Sequence, residues 1–515
     1  MEKLLLGIDV GTSSVKAVLF SGSGEVLAES ARAVPILTPE PGFAEQDMNN
    51  VWEVVCCVIS QCMSRAGVAG SDVAAVGVSG QGTGCWLIDR SGKPAGNAII
   101  WIDGRAKDLL DTWKKEGKTS EVFRLSSNSL FTGSPATLLA WLKGNRPEIF
   151  TRARYLLFAK DWIKLRLTGE VSTDLSDLFM FPLPLKGGVE SILEVLGIPE
   201  AGEFLPTVRK AWEIAGTVTR EAAETTGLQP GTPVVAGLVD VASCALALGI
   251  IRPGQVYSIL GTTSFNAFLT EEEDPLLFEP QEVGISVAYL FPGNFLRSMA
   301  TMSGTLSLDW FLEHFFGEDR SQYLSRREFF AFLEEKISKV PPGSEGVMFL
   351  PYISPGGERA PFLNPHAQGV FFGLRYHHTK FHLLRAVYEG VTFSVLDCFR
   401  ALSLSFPELR FCGGGAKSDF WCQLVADMLN ARVVVPKSQE LGALGVAMLA
   451  GVGVGVYKDV YDAVERVFQV KKVFEPREEL SRFYGERFAV YRRLREFLQE
   501  LWILNDQIIC RQGEG

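Results

Sequence analysis

An acidic residue and a hydroxyl-rich turn lie close together near the start of the sequence. Residues 7–20 read GIDVGTSSVKAVLF, in which Asp9 and Lys16 flank the turn 11–14. Amides and hydroxyls of such a turn can bind phosphate oxygens, and a carboxylate beside them can hold Mg²⁺. The same residues also suit a structural turn, with Asp9 bonded to turn amides and Lys16 exposed on an edge strand. Both interpretations are open for this stretch.

A near-copy of this turn occurs in the second half of the chain. Residues 256–269, VYSILGTTSFNAFL, repeat the order strand, Gly-Thr-hydroxyl-Ser, strand, but lack counterparts of Asp9 and Lys16. The equivalent positions are Gly11 and Gly261, Thr12 and Thr262, and Ser13 and Thr263. Because each hairpin begins one half of the chain, we predict a duplicated domain whose two hairpins grip a chain of phosphates from both sides of a shared cleft.

A third Gly-rich turn follows a short apolar run at residues 409–412. It reads Gly413-Gly414-Gly415, and a helical pattern begins near Ser418. Glycine lets the backbone approach a flat ligand, and a helix N-terminus favours phosphate oxygens. Tight packing between the strand and the helix explains the glycines equally well.

Asp240 is the best candidate for a catalytic base. It lies in PVVAGLVDVASCALA, residues 233–247, where it follows a predicted strand and begins an Ala-rich helix. Phosphoryl transfer needs a group that orients and deprotonates the accepting hydroxyl. A carboxylate in apolar surroundings is unfavourable unless it is used or capped, so a base and a helix N-cap are both open interpretations.

The composition excludes several classes of protein. The 515 residues suit two domains of roughly 250 residues each. A net charge of -10 argues against binding to nucleic acid or to anionic lipid. Nine cysteines without metal-ligand spacing and only five histidines leave little for a zinc site and suggest free thiols inside a cell.

Neither a signal peptide nor a membrane span is predicted. The N-terminus lacks a basic region followed by a long apolar one. The uncharged stretch 441–457 is interrupted by glycines and is short for a bilayer span, so we expect a helix packed in a core. The predicted location is the cytoplasm.

The pattern of strands and helices predicts an α/β fold. Apolar runs at 4–10, 15–20 and 25–36 suggest a three-stranded meander, and residues 50–66 have helical periodicity. Residues 73–80 read as a buried parallel strand ending in glycine, where ligand groups commonly lie. The charged helical tail from about residue 474 suggests a solvated face or a homodimer contact.

The motifs and their order resemble the FGGY family of carbohydrate kinases, within the actin-like ATPase superfamily. The resemblance covers nearly the whole chain and includes GLVD before and at Asp240, GGGAKSDFW, and residues 369–390. It implies two duplicated actin-like (ribonuclease H-like) ATPase domains of α/β class with a central cleft. We assign residues 1–250 to the N-terminal domain and residues 251–515 to the C-terminal domain.

The resemblance also implies roles for individual residues and ligands. Asp240 takes the position of the family's catalytic base. ATP is the phosphate donor, with Mg²⁺ as cofactor, and Asp9 and Asp240 are the candidate Mg²⁺ ligands. Lys16 is a candidate for offsetting phosphate charge. The residues expected to contact ATP are Gly11, Thr12, Ser13, Lys16, Gly261, Thr262, Thr263, Thr305, Gly413, Gly414, Gly415 and Ser418.

Substrate residues are expected after the strand 73–80 and in IIWIDGRA. They are Gln81, Gly82, Thr83, Asp103 and Asp240. Trp86 or Trp101 can offer an apolar face, with core packing expected for one of them. Asp103 can instead form an ion-paired turn with Arg105.

Gly82-Thr83 differs from the Met-His of D-xylulose kinases and from the Arg-Glu of glycerol kinases. SGQGTGCWLID, WIDGRA and PYISPGGERAPFLN look most like L-xylulose and erythritol kinases. We therefore expect ATP-dependent phosphorylation of a small ketose or polyol, such as xylulose or erythritol, with ribulose and glycerol as alternatives. A partner-coupled actin- or chaperone-type ATPase and a non-catalytic sugar sensor are rival interpretations.

Overall fold

The computed structural model describes residues 3–180, 188–271 and 282–512. The chain forms two compact units. The first comprises Met1–Pro253, Leu269–Arg297 and Glu440–Gln469, and the second comprises Gly254–Phe268, Ser298–Gln439 and Val470–Gly515. These units are interleaved in sequence, unlike the linear division at residue 250.

The strands are numbered along the chain. They are β1 (Leu4–Val10), β2 (Ser14–Phe20), β3 (Val26–Ala33), β4 (Glu45–Gln46), β5 (Val73–Gly80), β6 (Trp86–Ile88), β7 (Ala98–Ile99), β8 (Tyr155–Leu157), β9 (Ser172–Asp174), β10 (Thr207–Arg209), β11 (Ile214–Thr217), β12 (Pro233–Val235), β13 (Leu238–Val239), β14 (Val256–Leu260), β15 (Ser264–Glu271), β16 (Ile285–Ala288), β17 (Asn294–Thr301), β18 (Met348–Leu350), β19 (Val370–Phe372), β20 (Glu408–Cys412), β21 (Arg432–Pro436) and β22 (Val470–Phe474).

The helices are numbered in the same way. They are α1 (Met48–Ala66), α2 (Lys107–Lys115), α3 (Lys118–Ser126), α4 (Pro135–Asn145), α5 (Pro147–Arg152), α6 (Ala159–Thr168), α7 (Leu175–Met180), α8 (Glu190–Leu196), α9 (Arg220–Thr226), α10 (Asp240–Ala247), α11 (Thr305–Arg320), α12 (Arg326–Ser338), α13 (Lys380–Ala401), α14 (Asp419–Leu429), α15 (Leu441–Gly453), α16 (Val460–Val467) and α17 (Glu478–Gln512).

The first unit is built on a sheet of the order β11-β12-β5-β1-β2-β3, with β13 also paired to β5. Strands β1, β2 and β3 form an antiparallel meander, and β5 runs parallel to β1. The predicted meander and the predicted strand 73–80 are therefore confirmed. The side chains of β1 and β5 are almost all buried, which explains their continuous apolar runs, whereas most side chains of β3 are exposed.

The second unit repeats the same local arrangement. Strand β14 pairs antiparallel with β15 across the second Gly-Thr turn and parallel with β20, which pairs parallel with β21. The predicted hairpin is therefore present in both units, and in each of them it lies beside a parallel strand. The described chain has the two duplicated actin-like α/β domains that the motifs implied.

Helix α15 packs unusually close to the sheet of the first unit. A Cβ atom added to Gly7 of β1 would lie 2.0 Å from the carbonyl oxygen of Ala443, and one added to Gly77 of β5 would lie 2.1 Å from that of Val446. This close approach places residues 440–469 in the first unit, although they follow β21 of the second. The predicted core helix in the stretch 441–457 is confirmed, because residues 441–451 are buried.

Across the residues that the structure describes, no helix combines the length and the apolar character needed to cross a bilayer.

Candidate active site

Three parallel strands of the first unit end in the same row. The register pairs Val10 of β1 with Gly80 of β5, and Gly80 with Val239 of β13. The next residues along each strand are Gly11, Gln81 and Asp240. Since ligands of parallel sheets bind at the carboxyl ends of strands, this row forms a candidate active site.

Asp240 begins α10 and is partly buried. Its Oδ1 atom accepts a hydrogen bond from the Val241 amide at 2.7 Å. Burial, together with the negative charge of Asp9, raises the pKa of Asp240 to about 7, and the hydrogen bond from the Val241 amide opposes this shift. The Ncap position belongs to Val239, so Asp240 is the first helical residue. An acid with a pKa near neutrality can exchange a proton with a substrate hydroxyl.

Asp9 lies between β5 and the first turn of α15. Its Oδ1 atom accepts a hydrogen bond from the Ser79 hydroxyl at 2.9 Å. A Cβ atom added to Gly442 would lie 2.6 Å from Asp9 Oδ2, so only glycine leaves room for the carboxylate there. Burial raises the pKa of Asp9, and the bond from Ser79 and the charge of Lys16 lower it. Asp9 and Asp240 are thus neighbouring acids that a divalent cation would neutralise.

Lys16 forms an ion pair with Glu440, with 2.8 Å between Nζ and Oε2. Burial alone would lower the pKa of Lys16, but the hydrogen bond and the charge of Glu440 raise it, so the lysine stays cationic. Its side chain is 40% exposed and therefore also remains reachable by a phosphate group.

A closed ring of hydrogen bonds joins the first Gly-Thr turn to Gln81. The Thr12 hydroxyl donates to Gln81 Oε1 at 3.1 Å and accepts from Trp101 Nε1 at 2.8 Å. Gln81 Nε2 donates to Gln46 Oε1 at 2.8 Å, and Gln46 Nε2 donates to the Thr12 carbonyl at 2.8 Å. Gln46 is a site residue that sequence reasoning missed, because nothing in EQDM reveals a partner more than thirty positions away.

The remaining residues expected to bind substrate differ in their surroundings. Thr83 is buried and has a φ of 61°, which is strained for a β-branched residue and typical of a functional site. Gly82 is partly buried between Gln81 and Thr83. Asp103 is buried and accepts hydrogen bonds from Ala44 and Arg105, which favours the ion-paired turn. Trp86 is the core tryptophan.

The second Gly-Thr turn is closed by the start of α11. The amide of Thr305 donates to the Gly261 carbonyl at 2.8 Å, and the amide of Leu306 donates to the Thr262 carbonyl at 3.3 Å. A Cβ atom added to Gly304 would lie 2.5 Å from the Thr262 carbonyl oxygen, so glycine is required before α11. The side chain of Thr262 is exposed and that of Thr263 is partly exposed.

The triple glycine shows the tight packing that its sequence allowed, and its contact with a ligand stays a prediction. Gly413 has a φ of 93°, and Cβ atoms at Gly413 or Gly415 would overlap Leu260 at about 2.5 and 2.4 Å, which indicates tight packing. Gly413 and Gly414 are nevertheless exposed, and Gly414 lies beside the Thr305 side chain. Ser418 caps α14 by accepting from the Trp421 amide at 3.0 Å. These residues of the second unit therefore lie together.

A buried ion-pair cluster supports the segment before Asp240. Lys160 Nζ lies 2.7 Å from Asp161, 2.9 Å from Asp174 and 3.0 Å from Asp177. The adjacent Ser176 hydroxyl accepts a hydrogen bond from the Val239 amide at 3.0 Å. The cluster thereby fixes the backbone from which Asp240 projects.

We predict that Gln46→Glu lowers kcat/KM by roughly tenfold to a hundredfold, because it removes the donor to the Thr12 carbonyl and places a carboxylate against that oxygen. Steady-state kinetics should show the KM for ATP and the KM for the sugar rising together. The control is Asn97→Ala, which removes an exposed bond to Glu45. Wild-type kinetics for Gln46→Glu would contradict a positioning role for the ring.

The raised pKa of Asp240 predicts a pH-dependent stability. The folded state keeps the proton up to about pH 7, whereas the unfolded chain releases it near 3.8. The free energy of unfolding therefore falls as pH rises through this window, by up to about 4 kcal/mol. In urea titrations with EDTA, Asp240→Asn should exceed the wild type in stability at about pH 8 by more than at about pH 5. An equal difference at both pH values would refute the assignment.

Comparison with known proteins gives matches over both units. Models of the FGGY family of carbohydrate kinases match residues 4–247 for the N-terminal domain and residues 256–454 for the C-terminal domain. The chain is 32% identical to the "Probable L-xylulose kinase" of Pasteurella multocida (strain Pm70), with 96% of this chain and 99% of that protein aligned. It is 31% identical to the L-xylulose/3-keto-L-gulonate kinase of Escherichia coli (strain K12), with 97% and 98% aligned.

A solved structure extends the match to three dimensions. The ligand-bound xylulose kinase of Lactobacillus acidophilus superposes with a TM-score of 0.87 at 25% identity, and the alignment covers 96% of this chain and 98% of that one. Kinases named for L-xylulose, xylulose and erythritol all match over nearly their full lengths.

Proposed function

Because this chain belongs to the FGGY family of carbohydrate kinases and is therefore an ATP-dependent carbohydrate kinase, we propose that it phosphorylates a hydroxyl of a small ketose or polyol with Asp240 as general base. The observation that carries the proposal is the common row in which Gly11, Gln81 and Asp240 follow three parallel strands. It joins a phosphate turn, a polyol-binding position and a base within one unit.

In the proposed mechanism, Asp240 accepts the proton of the attacking hydroxyl as the oxygen bonds to the γ-phosphorus of ATP. The bond between the γ-phosphorus and the bridging oxygen breaks, and ADP leaves. The pKa of about 7 for Asp240 suits this role, because a base whose pKa lies near the working pH is both ionised and sufficiently basic. Gln81, Gly82 and Thr83 orient the acceptor, and Asp103 acts on the pocket by holding Arg105 in place.

We further propose that Asp9 and Asp240 hold Mg²⁺, directly or through water. Two neighbouring acids, one raising the pKa of the other, fit such a cation. Mg²⁺ supplies charge neutralisation to the phosphates when bound. In this proposal, the phosphates bind to the glycines, amides and hydroxyls at 11–13 and 261–263, and Lys16 offsets the phosphate charge. The adenosine binds to Thr305, Gly413, Gly414, Gly415 and Ser418. A cytoplasmic location stays a prediction.

L-Xylulose is the first substrate to test, since both relatives are named for it, as a "Probable L-xylulose kinase" and as an L-xylulose/3-keto-L-gulonate kinase. A tetritol such as erythritol is the second candidate, because PYISPGGERAPF resembles erythritol kinases.

The experiment is an ATP-consumption screen over D- and L-pentuloses, including ribulose, over tetritols and pentitols, and over glycerol. We expect turnover that depends on one ketose or polyol. ATP hydrolysis at the same rate without any acceptor would refute the proposal.

A further inference from the structure

Three of the five histidines in the chain lie around one glutamate of the second unit. His377 and His378 precede α13, and His382 lies in the first turn of that helix. Glu345 lies in the turn before β18, more than thirty positions earlier in the chain. The small number of histidines, which left little for a zinc site in the sequence, therefore does not exclude such a site in the fold.

The side chains of this group have the spacing of metal ligands. Glu345 Oε2 lies 3.3 Å from His377 Nε2. One ligand atom each from Glu345, His377 and His378 lies within 4.8 Å of the other two. Two ligands of a tetrahedral zinc ion, each about 2.0–2.1 Å from the metal, are about 3.3 Å apart. Small movements of these side chains therefore bring three ligand atoms around one cation.

His378 carries a ring nitrogen that the fold leaves without a partner. Its Nε2 atom is buried and forms no hydrogen bond with any residue that the structure describes, which is unfavourable for a polar atom. Its Nδ1 atom accepts from the Arg375 amide at 2.8 Å. A cation at Nε2 places the ring proton on Nδ1, so the amide must then bond to water, as the exposed position of Arg375 allows. Because this exchange opposes binding, we expect a dissociation constant in the micromolar range.

The backbone that carries Glu345 is held in place by α13. The Gly343 amide and the Ser344 hydroxyl donate to the two carboxylate oxygens of Glu389, at 2.9 and 3.1 Å. Ser344 and Glu345 have φ values of 52° and 50°, a left-handed conformation that is uncommon for residues other than glycine and that clusters at functional sites. Because Glu389 and His382 belong to the same helix, the turn keeps a fixed position relative to the histidines.

His382 supports the glutamate rather than binding the cation itself. The Thr379 amide donates to His382 Nδ1 at 3.1 Å, which leaves the ring proton on Nε2. That nitrogen lies 3.6 Å from Glu345 Oε2, so its N–H dipole attracts the carboxylate toward the histidines. Groups that orient a metal ligand in this way are a regular part of metal sites.

We propose that Glu345, His377 and His378 form a zinc-binding site that joins the turn before β18 to the start of α13. Imidazole nitrogens suit Zn²⁺, whereas Mg²⁺ prefers a shell of oxygen ligands. The side chains of Glu345 and His377 are 41% and 42% exposed, so a cation reaches them from solvent. The site lies within the second unit, whereas Asp9 and Asp240 belong to the first.

Calorimetric titration of Zn²⁺ into the full chain tests the site. After treatment with a chelator, and with excess Mg²⁺ present to fill the proposed magnesium site, the wild type should bind one zinc ion per chain. His377→Ala and Glu345→Gln should each weaken this binding by at least about tenfold, because each removes a ligand. The matched control is His314→Ala, which removes an exposed histidine of α11 in the same unit and should bind zinc like the wild type.

Thermal unfolding gives a second readout that does not depend on kinase activity. Zinc should raise the melting temperature of the wild type and of His314→Ala, because a ligand that binds the folded state stabilises it. Zinc should leave the melting temperatures of His377→Ala and Glu345→Gln unchanged. A wild type that binds no zinc would overturn the proposal. Zinc binding that both ligand variants retain, or that His314→Ala reduces to the same extent, would overturn it as well.

Discussion

Asp240→Asn should lower kcat by about 1,000-fold, equivalent to about 4 kcal/mol of transition-state stabilisation. Asparagine keeps the shape of the side chain and can still accept from the Val241 amide, but it cannot take the proton of the attacking hydroxyl. The fold should be retained, because the substitution removes a partly buried acid whose ionisation its surroundings disfavour. The measurement is steady-state phosphorylation of whichever acceptor the screen identifies.

Two comparisons separate the role of base from the role of metal ligand. Raising the Mg²⁺ concentration should partly restore Asp9→Asn but should not restore Asp240→Asn, since added metal supplies no proton acceptor. The matched control is Asp111→Asn, an exposed acid on α2, which should retain activity within twofold. Asp240→Asn with a kcat within about tenfold of the wild type would remove Asp240 from the role of base.

Gly7→Ala should lower the free energy of unfolding by at least about 2 kcal/mol. The added Cβ atom, whose position the backbone of β1 fixes, would lie 2.0 Å from the backbone carbonyl oxygen of Ala443, so neither atom can rotate away. Helix α15 must then move away from β1, which also shifts Gly442 relative to Asp9. The measurement is the urea midpoint, with kinase activity recorded in parallel.

Gly144→Ala is the matched control for this prediction. Gly144 lies in α4, and a Cβ atom there would have no heavy atom within 4 Å. Alanine also favours a helix more than glycine does, so this variant should be as stable as the wild type or more stable by up to about 1 kcal/mol. Equal midpoints for Gly7→Ala and the wild type would show that α15 relaxes without loss.

Local features of the chain were predictable because local sequence dictates them. The meander, the strand 73–80 and both Gly-Thr hairpins follow from apolar runs and turn chemistry that involve only neighbouring residues. The predicted helix over 50–66 is α1, capped by Asp47. The order of these motifs along the chain was enough to identify the family, because motif order does not depend on knowing any contact.

The contacts that complete the site join residues far apart in sequence. Gln46 meets Gln81 and the Thr12 carbonyl, and Lys16 meets Glu440, 424 positions away. No periodicity or turn signal reports such pairs, since they exist only after the strands and helices pack. Lys16 shows what the sequence could not predict. A lysine at this position suited either a phosphate contact or an exposed place on an edge strand, whereas the fold gives it an anionic partner, Glu440, that the sequence did not indicate.

The amino-acid sequence by itself determined the family, the duplicated hairpins and the candidate base, because each depends on residue types at short spacing. Tertiary structure alone decided that Gly11, Gln81 and Asp240 end one row of strands and that α15 belongs to the first unit. It also buried Asp240 and brought Asp9 near it, and burial together with the charge of Asp9 raises the pKa of Asp240 to about 7. Burial and charge proximity are properties of the packed chain, so the chemistry of this acid could be stated only from the fold.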